Sequence, residues 1–285
     1  MKRKAQAKTA ADFEQAHGQP KIKALERRLA EERAKVEALA DVQGKVRVET
    51  ARGCEIRFAL LGDTQFGSLY AHTEALSAFY EYAHAAGVTT FFHTGDVSDG
   101  HRVYKGHEFE LRDLGLDAQL TRLGNVAPRI KGVKTRFITG NHDASFKSLA
   151  GVPVGKLIQQ SRPDWEFLGE EQARVRWETP NGPFELMLIH PGGGTAYGIS
   201  YRPQKIVESL EGGTKPDMLA IGHYHKAEFM PAYRNVAVVQ TGTFQRQTPF
   251  MARMGLAAHV GGWIMDIVKG DGHNVIQARF VAFYV

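Results

Sequence analysis

The chain has 285 residues, of which 43% are hydrophobic and 24% are charged, and these ordinary globular values exclude bulk disorder. Its single cysteine, Cys54, excludes an internal disulfide framework and a cysteine-rich zinc site, and we expect a cytoplasmic protein. Most of the net charge of +5 lies in residues 1–50, which carry +4, so the overall charge does not by itself indicate binding of nucleic acid.

The first residues are polar and end in Gly18-Gln19-Pro20, which predicts a mobile arm. Between residues 20 and 41, the apolar residues that recur at helical spacing are Ile22, Leu25, Leu29, Val36 and Leu39. They stand among good helix formers, so we predict a helix. This stripe is shorter than an ordinary coiled coil and is interrupted by Glu32. Packing on the chain's own domain, a lone projecting helix and self-association all stay open.

From about residue 53, short apolar runs are each followed by glycine, histidine or other polar residues. The runs are Phe58–Leu61, Phe91-Phe92, Phe137-Ile138, Leu186–Ile189 and Met218–Ile221. They predict buried strands that deliver polar groups at their carboxyl ends. Helical patterns between them, of which Thr73 to Ala86 is one, predict an α/β domain. Near the end of the chain, Trp263–Val268 and Val275–Val285 flank Asp271-Gly272, which predicts a hairpin and hence a mixed sheet.

Five short polar motifs follow these runs. They are Gly62-Asp63-Thr64-Gln65, Gly95-Asp96-Val97-Ser98-Asp99, Gly140-Asn141-His142-Asp143, His190-Pro191 and Gly222-His223-Tyr224-His225. Each motif alone is explained as well by a turn, a cap or a loop. In order, they supply two carboxylates, one amide, four histidines and one glutamine, a donor set suited to borderline divalent metals. Phosphate ester hydrolysis needs such a centre, because two cations about 3.5–4 Å apart bind phosphate oxygens and lower the pKa of a water between them.

These motifs resemble those of the calcineurin-like metallophosphoesterase superfamily, in particular its exonuclease-like and phage-type members, over residues 57 to about 245. The resemblance implies an α/β fold of two facing mixed β-sheets flanked by helices. We therefore expect a basic N-terminal arm and helix over residues 1–50 and a metallophosphoesterase catalytic domain over residues 53–285.

The resemblance also implies a role for each motif position. The implied metal ligands are Asp63, Gln65 and His225 in the first site, Asn141, His190 and His223 in the second, and Asp96 as the bridge between them. His142 would contact the phosphate and protonate the leaving group, oriented by Asp143, whereas Asp99 would support its loop. We expect two divalent cations, Mn²⁺ first, with Mg²⁺, Fe or Zn²⁺ as alternatives.

Gln65 departs from the family pattern, which usually has histidine at this position. An amide oxygen is neutral and less basic than imidazole, so we expect weaker occupancy of the first site or a preference for harder cations. A hydrogen bond from Gln65 to a ligand, without contact to the metal, stays open.

Residues outside the motifs are candidates for contact with the substrate. They are His101 and Arg102 after the second motif, and Gly193, Tyr197 and Arg202 after His190. The three glycines at 192–194 let the backbone approach a phosphate or a stacked base, and a flexible hinge is the alternative.

We expect hydrolysis of phosphodiester bonds by attack of a hydroxide that bridges the metals, with DNA as the substrate. A small-molecule phosphomonoesterase or phosphodiesterase stays open, and so does a non-catalytic metal-binding scaffold, against which the presence of His142 and Asp143 argues. No apolar run approaches the roughly 20 residues of a spanning helix, so we expect no membrane partner.

Overall fold

The computed structural model describes residues 27–28, 46–51 and 53–284. The chain separates into two compact units, Met1–Val42 and Gln43–Val285. In the first unit only Arg27 and Arg28 are described, and both are helical and exposed. The predicted arm and the rest of the predicted 20–41 helix, with its possible self-association, lie outside the described residues.

The first sheet of the larger unit has six strands. Their order is β12 (Asn274–Ala282), β11 (Gly261–Lys269), β2 (Glu55–Leu61), β3 (Thr90–His93), β4 (Lys134–Thr139) and β5 (Trp165–Glu170). Strands β2 to β5 are parallel, whereas β11 pairs antiparallel with both β2 and β12. The predicted C-terminal hairpin and the mixed character of the sheet are thus confirmed.

The second sheet also has six strands. Their order is β1 (Val46–Thr50), β6 (Gln172–Thr179), β7 (Gly182–Ile189), β8 (Met218–Ile221), β10 (Val236–Thr241) and β9 (Ala227–Tyr233). Strands β7, β8 and β10 are parallel, and β6 and β9 pair antiparallel with their neighbours β7 and β10. Strand β1 pairs with β6, so this stretch, which the sequence assigned to the arm, belongs to the sheet. Its Val46 and Val48 are exposed and give no signal of burial.

Helices flank the two sheets. They are α1 (Thr73–Ala85), α2 (Leu116–Val126), α3 (Asn141–Ala150), α4 (Val154–Ser161), α5 (Tyr201–Ser209) and α6 (Pro249–Arg253), with a 3-10 helix at His107–Phe109. The prediction of a helix from Thr73 is confirmed by α1. Among the described residues, no helix is long and apolar enough to cross a membrane.

A hydrophobic core lies between the sheets and holds them face to face. Phe58 on β2 stacks on Trp177 of β6, with 5.5 Å between ring centroids, and meets Phe92 of β3 edge to face at 5.4 Å. A second core joins the first sheet to α1, and a third joins the second sheet to α5. The architecture is therefore two facing mixed sheets flanked by helices, as predicted. It brings the carboxyl ends of β2, β3 and β4 in one sheet and of β7 and β8 in the other to the same rim.

The packing of Phe58 gives a test of this architecture. Because its ring is fully buried between the sheets, we expect Phe58→Ala to lower the free energy of unfolding by about 3–5 kcal/mol, measured by urea denaturation. Tyr82→Ala, at an exposed position on α1, is the control and should cost no more than about 0.5 kcal/mol. Equal effects of the two substitutions would contradict a core between the sheets.

Candidate metal centre

The five motifs meet at the rim where these five strands end. Asp63 and Gln65 follow β2, Asp96 follows β3, and Asn141 follows β4. His190 follows β7, while His223 and His225 follow β8. Contacts between side chains connect the predicted ligands within each metal site, and backbone and side-chain contacts connect the motifs to one another.

Asp96 lies at the centre of the group and is 1% exposed. His190 Nε2 lies 3.2 Å from its Oδ2, and Gln65 Nε2 donates a hydrogen bond of 3.3 Å to the same oxygen. The backbone N–H of His142 donates to Oδ1 at 2.8 Å. One carboxylate thus contacts groups from the first, third and fourth motifs, which is the position that a bridging ligand needs.

Asp63, Gln65 and His225 form the first group around Asp96. His225 Nε2 lies 3.2 Å from Asp63 Oδ1, and the His223 backbone N–H donates to both Asp63 carboxylate oxygens at 3.1 Å. Gln65 Oε1 is buried and has no hydrogen-bond partner in the part of the chain that the structure describes. A buried acceptor without a partner costs free energy, and a cation at this position would satisfy it. The side chains of this group therefore fit a divalent metal.

His190, Asn141 and His223 form the second group. His190 Nδ1 donates to the Thr94 carbonyl at 2.8 Å, which leaves Nε2 for a metal, 3.0 Å from Asn141 Oδ1. His223 Nε2 donates to the Gly193 carbonyl at 2.7 Å, so its Nδ1 is the nitrogen available for a ligand bond. One ligand atom from each of Asp96, His190 and His223 lies within 4.8 Å of the other two.

The charge of the centre also favours a cation. Burial opposes protonation of His190, but the nearby Asp96 carboxylate raises the pKa of His190 to about 9. A metal at this site would displace the proton on the imidazole and take over the neutralisation of Asp96.

Backbone strain is concentrated in the same residues. The predicted ligands with positive φ are Asp63 (51°), Gln65 (49°), Asp96 (53°), His223 (76°) and His225 (54°). They make up five of the nine non-glycine residues with positive φ in the described part of the chain. Each such conformation costs on the order of 1–3 kcal/mol and persists only where the surrounding fold enforces it. The strained backbone therefore lowers the stability of the fold but orients these side chains.

Two motif glycines are required by close approach. A Cβ at Gly140 would lie 2.3 Å from Asp96 Oδ1, and a Cβ at Gly95 would lie 2.6 Å from His190 Nδ1. Both distances are far inside van der Waals contact, so any larger residue at either position would displace a predicted ligand.

Asp143 does not orient His142, contrary to the expectation from the sequence. Its carboxylate accepts hydrogen bonds from the backbone N–H of Val97 (3.1 Å), Ser98 (2.8 Å) and Gly140 (3.0 Å), and from Ser98 Oγ (2.6 Å). As the third residue of α3, it turns back over the start of its own helix and ties this helix to the second motif. Asp143 is therefore a structural link between the motifs.

Asp99 takes the place that the sequence gave to Asp143. His142 Nδ1 donates to the Asp99 carbonyl at 2.7 Å and lies 3.5 Å from the Asp99 carboxylate. Burial opposes ionisation of Asp99, but the nearby imidazoles of His107 and His142 hold its pKa below the usual range. Burial likewise opposes protonation of His142, yet Asp96 and Asp99 raise the pKa of His142 to about 10. The imidazole is thus held as a proton donor.

A cavity of about 480 Å³ opens over the centre. The motif residues that line it are Asp96, Asn141, His142, His223 and His225. The apolar side of its wall consists of Val103, Tyr104, Phe250, Met251, Met254 and Leu256. Tyr104 stacks on Phe250, with 4.2 Å between ring centroids. The sequence did not single out this wall. The one sequence feature that indicates this wall is Tyr104, an aromatic residue soon after the second motif.

His101 and Arg102, which the sequence proposed for substrate contact, are not part of this wall as far as the described residues define it. The loop bonds to Ser145 through the His101 backbone N–H, and Arg102 adopts a positive φ of 55° with an exposed side chain. The next two residues, Val103 and Tyr104, face the cavity instead.

A groove continues from the cavity and shares Thr195, Tyr224 and Leu256 with it. The groove contains Tyr197, Arg202, Lys226 and His259. Arg202 donates to the Gly192 carbonyl at 3.1 Å, and its guanidinium lies 5.9 Å from the Tyr224 ring centroid. No carboxylate of the described chain forms an ion pair with Arg202 or Lys226. Gly193 thus lines the cavity, and Tyr197 and Arg202 line the adjoining groove, while their contact with substrate stays a prediction.

A family model described as calcineurin-like phosphoesterase matches residues 56–227. No match is found among curated proteins. Among solved structures, Vps29 from Chaetomium thermophilum is 12% identical, with a TM-score of 0.42 over 81% of this chain and 98% of its own. Vacuolar protein sorting 29 from Cryptosporidium parvum is 15% identical, with a TM-score of 0.39 over 80% and 99%. A predicted phosphoesterase from Streptococcus pneumoniae is 8% identical, with a TM-score of 0.36 over 79% and 98%.

The buried Oε1 of Gln65 gives a test of metal binding. Because Gln65→Leu removes this oxygen, we expect Mn²⁺ binding at one site to weaken at least about tenfold in calorimetric titration. Gln65→His should shift the preference from Mn²⁺ towards Zn²⁺, since imidazole suits zinc. Gln277→Leu, an exposed position on β12, is the control and should bind as the wild type does. If neither Gln65 variant changes affinity or preference, Gln65 only hydrogen-bonds to Asp96.

Proposed function

The chain belongs to the calcineurin-like phosphoesterase family, and we propose that it is a metal-dependent phosphodiesterase that acts on DNA. The observation that carries the proposal is the extent of the space beside the metal centre, where the cavity over His142 continues into a basic groove past Thr195 and Tyr224. A phosphodiester carries two organic groups on phosphorus, and both need room, whereas a monoester needs only one.

Two divalent cations, when bound, would polarise the phosphate and supply an activated water as nucleophile. Asp63, Gln65 and His225 would hold one cation, and Asn141, His190 and His223 the other, with Asp96 shared. The first set is rich in oxygen and has a neutral amide in place of imidazole, which favours a hard cation such as Mn²⁺ or Mg²⁺. We therefore propose manganese as the working metal, with magnesium next.

His142 would protonate the leaving oxygen. Its Nδ1 is occupied by the Asp99 carbonyl, which leaves Nε2 as the nitrogen free to donate into the cavity. Asp96 and Asp99 both raise the pKa of His142, and with cations on Asp96 the contact with Asp99 would remain to favour the protonated ring. A positioned acid of this kind contributes typically about 10²–10⁴-fold to rate.

The groove supports a polynucleotide as the substrate. Arg202 and Lys226 lie there without carboxylate partners, so their charge is available for a second phosphate. Tyr197 is fully exposed at the same groove and offers a face on which a base can stack. Burial lowers the pKa of Lys226, and a phosphate beside it would counter this effect.

A small phosphodiester is the second candidate. A cavity of about 480 Å³ falls within the roughly 300–1,000 Å³ of small-molecule sites, and its apolar wall would suit a compact organic group. A non-catalytic metal-binding scaffold is a weaker candidate, because such a protein has no need of the buried contact between His142 and Asp99.

The class of ester hydrolysed tests the main proposal. With Mn²⁺, we expect the wild type to hydrolyse bis(p-nitrophenyl) phosphate and single-stranded DNA and to hydrolyse p-nitrophenyl phosphate poorly. His142→Ala should lower kcat on DNA by about 10²–10⁴-fold and on the nitrophenyl diester much less, because nitrophenolate leaves without a proton. Hydrolysis of the monoester alone would contradict a phosphodiesterase, and hydrolysis of no ester would favour the scaffold.

The groove is tested by removing its two cations. We expect the double variant Arg202→Ala with Lys226→Ala to lower kcat/KM on single-stranded DNA at least about tenfold and to leave bis(p-nitrophenyl) phosphate hydrolysis unchanged. The logarithmic salt dependence of DNA binding should fall by about 1.4, since each contact to single strands contributes about 0.7.

The matched control removes Lys131 and Lys134, two exposed lysines at the amino end of β4, opposite the metal centre. It should retain wild-type activity on both substrates. Equal losses on DNA and on the small diester in the groove variant would instead support the small-molecule candidate.

A further inference from the structure

His107 is a buried histidine behind the metal centre that the proposed reaction does not yet use. Its side chain is fully buried on the 3-10 helix His107–Phe109. The backbone N–H of Val103 donates to His107 Nδ1 at 3.3 Å. A nitrogen that accepts this bond carries no proton, so the ring proton is on Nε2.

The proton on His107 faces the carboxylate beside His142. His107 Nε2 lies 3.5 Å from Asp99 Oδ2, while the other carboxylate oxygen, Oδ1, lies 3.5 Å from His142 Nδ1. His107 Nε2 and Asp99 Oδ2 are both buried, and neither has a hydrogen-bond partner among the described residues. At 3.5 Å from each other they interact electrostatically, which offsets part of the cost of burying both groups.

The three side chains are spaced closely enough to hold a metal ion, but their bonding disfavours one. His142 Nδ1 is engaged by the Asp99 carbonyl, and His107 Nδ1 by Val103. Only His107 Nε2 and Asp99 Oδ2 remain free, fewer than the three or four protein ligands of an ordinary zinc site. An electrostatic contact between His107 Nε2 and Asp99 Oδ2 accounts for the arrangement better.

We propose that His107 is a positioning residue, which holds the Asp99 carboxylate in the orientation that fixes the ring of His142. This role rests on the proposed function, because it matters for catalysis only if His142 protonates a leaving group. The Tyr104 ring lies over His107, with 4.6 Å between centroids, and stacks in turn on Phe250. The apolar wall of the cavity and the proton donor are thus held by one packed group.

The first experiment observes the His142 ring directly, without substrate. In protein labelled with ¹⁵N-histidine, the Nδ1–H proton of His142 should give a resolved downfield signal. His107→Leu should abolish this signal through exchange with solvent, whereas His107→Gln, whose amide N–H can replace Nε2–H, should retain it. His84→Leu, at an exposed position on α1, is the control. An unchanged signal in His107→Leu would overturn the proposal whether or not the chain is an enzyme.

The second experiment compares two diesters of thymidine that differ in the leaving group, the dinucleotide and the p-nitrophenyl ester. We expect His107→Leu to lower kcat on the dinucleotide by about 10–100-fold with little change in KM, and to change kcat on the nitrophenyl ester less than about threefold. His107→Gln should restore most of the loss.

Equal losses on both esters in His107→Leu, with no recovery in His107→Gln, would show that His107 only supports the fold. A third Mn²⁺ or Zn²⁺ bound by the wild type and lost in His107→Leu would show a metal site in place of the contact between His107 and Asp99. Failure of the wild type to hydrolyse either ester would contradict the proposed function, while the ring signal would still decide the contact with Asp99.

Discussion

The buried carboxylate of Asp96 is the constraint on which the rest of the site depends. Burial would by itself raise the pKa of Asp96, yet His190 and His142 lower it well below its usual range. A charge at this depth is stable only when it is paired and hydrogen-bonded. The fold meets this demand with groups from three other motifs, and it accepts left-handed backbone at five predicted ligands to aim them. Cations at this position would neutralise Asp96 and relieve the need for protonated imidazoles.

The sequence predicted the frame of the fold and the members of the metal centre. Apolar runs such as Phe58–Leu61 carry a strand signal, and the glycine after each run marks the point where the chain turns towards the rim. Parallel strands that end at one rim must bring their following residues together. The ordered motifs therefore identified the predicted ligands, including Gln65, whose unpartnered oxygen the structure then revealed.

The remainder depended on side-chain directions and on long-range contacts that sequence spacing does not encode. Asp99 and Asp143 are both carboxylates close to His142, and only the start of α3 decides that Asp143 turns back to cap its own helix. Sequence spacing likewise gives no sign that His107 is fully buried on a 3-10 helix. Strand β1 alternates valines with charged residues, but it is only five residues long and its valines are exposed, so the pattern does not mark a buried face.

Diffraction from crystals soaked in Mn²⁺ tests the central claim most directly. Manganese scatters anomalously, so each bound ion gives a peak whose position needs no assumption about the reaction. The account predicts two peaks roughly 3.5–4 Å apart, with Asp96 between them and Gln65 Oε1 facing one of them. A single peak, or two peaks that do not share Asp96, would contradict a dinuclear centre built around this carboxylate.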